Sequence, residues 1–467
     1  GMNQARSSFD LIPPTTVTTS IGDRSASLTT FTPPKADSPG DGSGGVPARG
    51  AQSLTRRLLE RFALIALGLY HIPLFLNNYP SLGGGGFNDD GLAVRWGHVF
   101  TPPGVWVARH VFHMTGPMPT AYQGDNGDVG EEFGRLLLAV GIAVVGAVLW
   151  TAADRKRPRA QWVEGVLRLL LRYSIALGLV GYALAKILPV QFPPLDAIAF
   201  ETRVGDLTPM GLLWRFMQYS RPYSLFGGVM ELVAVLLLCF RRTATLGALV
   251  CLVVMTNVAA LNYAYDVQVK LYATMMVVSA AVLVLYDARR LLALFVSNRP
   301  APSAELSHQW QDRLGAPLRW TIKVALVGSV IASSVIAMTS TVGRDSAGSS
   351  GVDGAWVVTS FARDGHSLDS TGNSARWRRL VVDRNGVAIR MESDSLVRCR
   401  RAASPDPAMI TLSCSGKRQG QLRWARTGDA LQLGGAFAGA PLTAAARRVN
   451  PSDYALLRRR FHWIYDR

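Results

Sequence analysis

Residues 224–262, SLFGGVMELVAVLLLCFRRTATLGALVCLVVMTNVAALN, decide the fold. Two apolar runs, 224–240 and 244–262, are parted by little more than Arg241 and Arg242. At 1.5 Å per residue, a helix of such length covers most of the ~30 Å hydrocarbon layer of a bilayer. Neither run keeps a polar face, and a helix apolar all round needs a lipid or deeply buried setting. Read together, they form a helical hairpin in a membrane with its basic turn on the cytoplasmic side.

Five more apolar blocks lie outward from this pair: 58–76, 133–150 and 169–188 before it, 271–286 and 322–340 after it. The 467 residues are 49% hydrophobic and only 17% charged, with a mean hydropathy of +0.18, which excludes an ordinary soluble protein. The expected fold class is therefore an α-helical polytopic membrane protein of about seven transmembrane helices, followed by a small antiparallel all-β C-terminal domain. The expected division is a tail at 1–57, two helices with a long outer loop at 58–160, and a four-helix core at 161–297. A linker with the last helix follows at 298–341, then the β domain at 342–467. The tail is rich in Ser, Thr, Pro and Gly and has no apolar block, so it cannot bury enough surface to offset its ordering entropy. Gly1, ahead of Met2, reads as an added residue, and the tail does not read as a signal peptide.

Basic residues set the expected orientation. Arg56 and Arg57, the Arg155–Arg159 run, Arg241 and Arg242, and Arg289, Arg290, Arg299, Arg313 and Arg319 all fall in alternate connections. That places them in the cytoplasm, with the N-terminus, and places the β domain outside it, in a bacterial inner membrane. The formal net charge of +17 then reflects topology and the Arg-rich β domain, and nucleic acid is not an expected partner. Membrane lipids, a lipophilic small molecule and an envelope protein are.

Residues 355–464 alternate apolar and polar positions between turn signals such as Asp383-Arg384-Asn385-Gly386 and Ser404-Pro405-Asp406-Pro407. Seven or eight short strands predict a lipocalin-sized barrel or sandwich. Its expected inward set is Val387, Ile389, Met391, Val397, Cys399, Ile410, Leu412, Cys414, Leu422 and Trp424. Cys399 and Cys414 either form a cross-strand disulfide or serve as small core thiols. Cys239 and Cys251 face lipid or pack, and no Cys-x-x-Cys motif is present.

Ionisable and amide groups inside spans are costly, and they mark candidate sites. Lys186, Glu231 and Asn257 lie on three successive spans at similar distances from the outer ends, so they are the candidate catalytic residues. Gly178, Gly181 and Ala185 precede Lys186, and Gly227, Gly228 and Ala234 surround Glu231, which allows close helix approach. Two readings stand: an outward-facing polar pocket, or a structural ion pair with Lys186 reaching towards the interface. Candidate ligand contacts are Tyr182, Gln191, Trp214, Asn262, Tyr265, Asp266 and Lys270. Residues 191–223, with Trp214, Phe216, Met217 and Tyr219, form either a lid or an interfacial anchor. His98, His110 and His113, with Asp89 and Asp90, match no tight metal signature, and no metal is assigned. Asp128 and Glu131 read as a capping box for the 133–150 helix. Gly83–Gly86 reads as a turn.

YALAKILPVQFPP (182–194), TPMGLLW (208–214), SLFGGVMELVAVLLLCFRRTATLGAL (224–249) and VMTNVAALNYAYDVQVKLY (254–272) resemble the DoxX-like membrane proteins. With the terminal FHWI (461–464), the chain is similar to a long bacterial branch of that family. The resemblance implies a four-helix bundle with extra helices around it. It also implies a link to quinone-dependent sulfur oxidation or thiol and oxidative-stress systems, with a quinone as the conceivable cofactor. The functional expectations are a quinone- or lipid-linked redox component, or else a non-enzymatic transporter, chaperone or envelope scaffold.

Overall fold

The computed structural model describes residues 53–77, 92–116, 128–154, 161–300, 315–346 and 351–458, save a few turn residues in the last range. The N-terminal tail up to residue 52, Gly83–Gly86, Asp89, Asp90, the 155–160 basic run, Arg313 and the terminal FHWI lie outside the described residues.

All seven apolar blocks are helical. They form α1 (Leu54–Asn77), α3 (Gly130–Ala153), α4 (Gln161–Ile187), α7 (Arg221–Cys239), α8 (Ala244–Ala264), α9 (Lys270–Tyr286) and α11 (Ala316–Ser346). Among the described residues, α3, α7 and α8 are long and apolar enough to cross a membrane. A fourth span results if α9 and the short α10 (Ala288–Phe295), bent by 72° at their junction, count as one. Seven crossing helices are thus not reached on length and apolarity. The helices α1 and α4 carry Arg56, Arg57, Glu60 and Arg61, and Glu164, Arg168, Arg172 and Lys186.

Those charges are consumed inside the bundle. Arg56 pairs with Glu60 at 2.7 Å and with Glu164 at 3.1 Å. Arg61, almost fully buried, pairs with Asp154 at 2.6 Å and lies over the Trp150 ring. Arg168 pairs with Glu164 at 2.7 Å, and Thr245 donates to Asp287 at 2.5 Å. This network gathers the starts of α1, α4 and α8 and the ends of α3 and α9 at one end of the bundle. Arg241, Arg242, Arg289 and Arg290 lie at the same end.

Part of the expected 77–132 loop is instead a helix, α2 (Leu92–His110), with Pro102 and Pro103 inside it. Prolines in a helix interior remove backbone donors and argue against a helix from sequence alone. Tight packing against α3 outweighs them: a Cβ on Gly134 would meet the Gly104 carbonyl oxygen at 2.0 Å. Thr101 also donates to the buried Glu131 at 2.8 Å.

The C-terminal domain is a closed antiparallel barrel. Strand β1 (Gly354–Arg363) pairs with β3 (Trp377–Val382) on one side and β9 (Ala440–Arg448) on the other. The meander β4 (Gly386–Met391), β5 (Leu396–Ala402), β6 (Met409–Cys414), β7 (Gln419–Thr427) and β8 (Ala430–Phe437) completes eight strands. The two-residue β2 (His366–Ser367) only extends β1. Closure satisfies every edge that a sandwich would leave open. The interior is filled by Trp356, Trp377, Phe361 and the expected inward set, of which Met391 and Trp424 are the partly buried members. Cys399 and Cys414 oppose each other across β5 and β6 and are disulfide-bonded.

Residues 387–390 of β4 are buried on both faces, where simple alternation would leave Ala388 and Arg390 outside. The reason is α5 (Ala197–Glu201), which packs Ala197 and Ile198 onto Ala355, Val381 and Ala388. Tyr454 closes the contact, stacking on Phe200 at 5.1 Å and donating to Glu201 at 2.6 Å. Burial, reinforced by that carboxylate, pushes the Tyr454 phenol above its ordinary pKa. The barrel is thereby seated on the connection that leaves α4.

The disulfide closes a loop with a sequence separation of 15, for which chain entropy gives about 3 kcal/mol. Cys399→Ser is expected to lower the barrel's unfolding free energy by roughly that amount. Denaturant unfolding followed by tryptophan fluorescence checks it, with non-reducing peptide mapping to establish the Cys399–Cys414 link.

Candidate functional site

Lys186 and Glu231 meet because two glycines allow it. A Cβ on Gly228 would lie 2.8 Å from the Ala183 carbonyl oxygen and 2.9 Å from Lys186 Cβ, so α7 runs against α4 at backbone distance. Glu231, three residues further along α7, shares that face. Its carboxylate accepts from Lys186 Nζ at 3.0 Å, and both side chains are buried. Arg221, at the start of α7, donates to the carbonyls of Lys186 (2.6 Å) and Ile187. A cation on the last carbonyls of α4 offsets the negative end of that helix.

Past Ile187 the chain folds back: the N–H groups of Val190 and Gln191 both bond the Ala185 carbonyl, at 2.9 and 3.0 Å. This turn carries Gln191 into a cavity of about 360 Å³ between α4, α9 and α11. Gly178, Gly181 and Ala185 form one wall, Val330 and Ser334 another, and Tyr182, Tyr272 and Gln191 supply polar groups. The cavity exists where α4 is small-residued: an added Cβ on Gly181 would meet nothing within 4 Å. At Gly178 the same atom would lie 2.6 Å from the Tyr272 hydroxyl, so Tyr272 occupies the notch that glycine leaves. The rings of Tyr182 and Tyr272 lie 5.4 Å apart, and Lys186 Nζ is 5.7 Å from the Tyr182 ring. Tyr182 thus stands between the cavity and the ion pair. Gln191 Oε1 is buried and has no hydrogen-bond partner among the described residues. An orphaned acceptor of this kind costs about 1–3 kcal/mol unless something donates to it.

The sequence grouping is only partly realised. Lys186, Glu231, Tyr182 and Gln191 come together, but Asn257 does not join them: it is exposed on the outer surface of α8. Asn257 stays apart because α8 buries the face carrying Gly247, Ala248, Cys251, Met255 and Asn262. Asn262 donates to the Val269 carbonyl at 3.3 Å and so holds the α8–α9 turn. Asp266 and Lys270 pair at 2.7 Å, with Asp266 largely exposed. Trp214 and Tyr265 belong to a separate apolar cluster, in which α6 (Pro209–Tyr219) packs Leu213 and Met217 on Phe192 and Val267. None of these five lines the cavity. With Phe216 and Tyr219 exposed on α6, the 191–223 connection sits on the α8–α9 turn.

Asp128 also departs from its expected role. No side chain caps α3, and Asp128 instead accepts from the N–H groups of Lys270 (2.9 Å) and Leu271 (2.8 Å) at the start of α9. A carboxylate gains as much from one helix's free donors as from another's, and sequence spacing cannot say which comes nearer. Among the described residues, no three His, Cys, Asp or Glu side chains are grouped to hold a metal. His110 bonds the Trp106 carbonyl at 2.9 Å, His113 is exposed, and the side chain of His98 lies outside the described residues. Cys239 and Cys251 are free and buried in the bundle core, so they pack.

Tyr272 and Ser334 are cavity residues that sequence reading passed over, as it did His71. His71 is fully buried in α1, and its Nε2 lies 2.7 Å from Ser279 Oγ on α9. Ser279 spends its own proton on the Met275 carbonyl at 2.7 Å, so the imidazole is the donor and Nε2 carries the hydrogen. An ionisable side chain inside an apolar block was the available signal.

Comparison with known proteins narrows the family and no more. No family model matches the chain, and no solved structure matches it. The uncharacterized protein YwoB of Bacillus subtilis (strain 168) is 31% identical over 124 residues, which cover 79% of YwoB and 27% of this chain. The chain belongs to the YwoB family. Nearly three quarters of its length lies outside the YwoB match, so the two share a segment and not a whole architecture.

Removing one member of the buried ion pair leaves the other unpaired. Glu231→Leu alone is expected to cost about 3–5 kcal/mol, while Lys186→Met with Glu231→Leu recovers most of the loss. Thermal unfolding of the four members of this cycle in detergent measures the coupling.

Proposed function

We propose that this member of the YwoB family is a multi-pass protein of the bacterial inner membrane that binds a lipophilic small molecule through a polar head. In this reading the basic end of the bundle lies in the cytoplasm and the barrel on the outer side. The unpartnered Gln191 acceptor carries the proposal, because it calls for a hydrogen-bond donor from outside the chain. The aliphatic and aromatic lining supports an apolar body for that molecule, and the hydroxyls of Tyr182, Tyr272 and Ser334 support an oxygen-bearing head. A quinol fits these terms, offering a hydroxyl donor to Gln191, and agrees with the DoxX-like resemblance. The Lys186–Glu231 pair, behind Tyr182, sets the charge next to such a head. Delivery of cargo into the barrel is not favoured, since Trp356, Trp377 and Phe361 fill its interior.

Gly181→Leu fills the cavity without meeting a neighbour at its Cβ. Native mass spectrometry of protein released from nanodiscs is expected to show a bound lipophile of a few hundred daltons on the wild type. Gly181→Leu should lose it, and Gln191→Leu should hold it at least tenfold more weakly, the cost of one lost hydrogen bond of about 1.4 kcal/mol or more. A wild type that carries nothing, or a Gly181→Leu variant that carries the same molecule equally, refutes the pocket.

A further inference from the structure

A second cavity, of about 490 Å³, opens where the α4–α7 connection meets the barrel, and its walls are Glu201, Arg203, Val357, Arg378, Arg379 and Arg390. Four guanidiniums therefore converge from two separate parts of the chain. Their protein counter-charges are few. Glu201 accepts from Arg379, and Asp394 pairs with Arg203 and Arg378 and lies 3.8 Å from Arg390. Arg390 further donates to the carbonyls of Asp394 (3.1 Å) and Glu201. Asp206 acts on it only as a more distant charge. Four cations thus face two carboxylates at contact distance, and positive charge is left over.

Guanidiniums carry five N–H donors each, and the bonds just named use a minority of them. Burial, and then the charge of Arg203, hold the Arg390 guanidinium below its ordinary pKa, as expected where like charges are crowded without enough anion between them. Arg203 and Arg378 remain 52% and 40% exposed, so solvent and solutes reach them. Arg203 lies six residues ahead of α6, whose Phe216 and Tyr219, with Tyr223 and Phe226 of α7, form an exposed aromatic belt of the kind found at headgroup depth.

We propose that this cleft binds a phosphate group, held by the forked donors of Arg203 and Arg378 with Arg379 and Arg390 behind them. Planar guanidiniums match the oxygens of phosphate bidentately, and several can share one tetrahedral anion. The anion neutralises the excess charge and clamps the barrel to the α4–α7 connection, since Arg203 comes from one and Arg378 from the other. Its source is either the headgroup of an anionic phospholipid at the same depth or phosphate from solution. The arginine cleft shares no lining residue with the helical cavity, so either site can fail alone.

The test uses the full chain. Isothermal titration with inorganic phosphate in detergent, and native mass spectrometry from nanodiscs of equal phosphatidylcholine and phosphatidylglycerol, read the two sources. Saturable phosphate binding assigns a solution ligand; retention of phosphatidylglycerol over phosphatidylcholine without it assigns a headgroup. In either case Arg203→Gln with Arg378→Gln should weaken binding at least tenfold. Lysine at both positions should restore part of it, and Arg423→Gln, which removes an exposed charge outside the cleft, should change nothing. Thermal unfolding of each variant confirms that it is folded. The proposal is overturned if the wild type binds neither probe, or if the double glutamine variant binds as the Arg423→Gln control does.

Discussion

An ammonium and a carboxylate held 3.0 Å apart between α4 and α7 constrain much of what surrounds them. Two charges buried this deeply are tolerable only as a pair, and a pair requires the helices to come within backbone distance. Gly228 meets that requirement, and Ala183, Lys186 and Ile187 are the atoms it lies against. Once α7 is fixed on one face of α4, the small residues on another face, Gly178, Gly181 and Ala185, are left for α9 and α11. Those helices do not fill them completely. The cavity is thus a consequence of where α4 spends its small side chains, and Tyr182 connects its lining to the ion pair.

The helical core was legible because hydropathy is a one-dimensional signal. Each apolar block became a helix, within a few residues at most ends, and Arg56, Arg61, Arg168, Arg241, Arg242, Arg289 and Arg290 lie at one end. Azimuth was not legible. Asn257 faces outward, since in a helix apolar nearly all round no periodicity distinguishes the lipid side from the packed side. Pairing across long separations was equally hidden. Asp128 and Glu131 have the local spacing of a capping box, yet Asp128 caps a helix some 140 residues later and Glu131 takes Thr101. In the barrel, alternation gave the inward set, and it broke in β4, where α5 covers the outer face.

Polar groups in the bundle are arranged in tiers. At the basic end, Arg56, Arg61, Glu164, Arg168 and Asp287 tie the helix termini together. Further in, His71 and Ser279 join α1 to α9. Towards the other end stand Lys186 and Glu231. Each tier links helices distant in sequence, and polar links of this sort fix which helices are neighbours in a setting where apolar contact alone discriminates poorly.

The helix α4 contacts α1, α7, α9 and α11, so every tier touches it or a direct neighbour. Its C-terminal end leads at once into Gln191, then α5, then Arg203. The same short path therefore carries the orphaned acceptor of the membrane cavity, the seat of the barrel and one wall of the arginine cleft. Arg221 and the Ala185 carbonyl hold the turn that joins Gln191 to the end of α4, and α5 begins six residues beyond it. Gln191 in the wall of the helical cavity and Glu201 in the seat of the barrel therefore stand ten residues apart on one connection, a second path to the barrel besides its covalent link through α11.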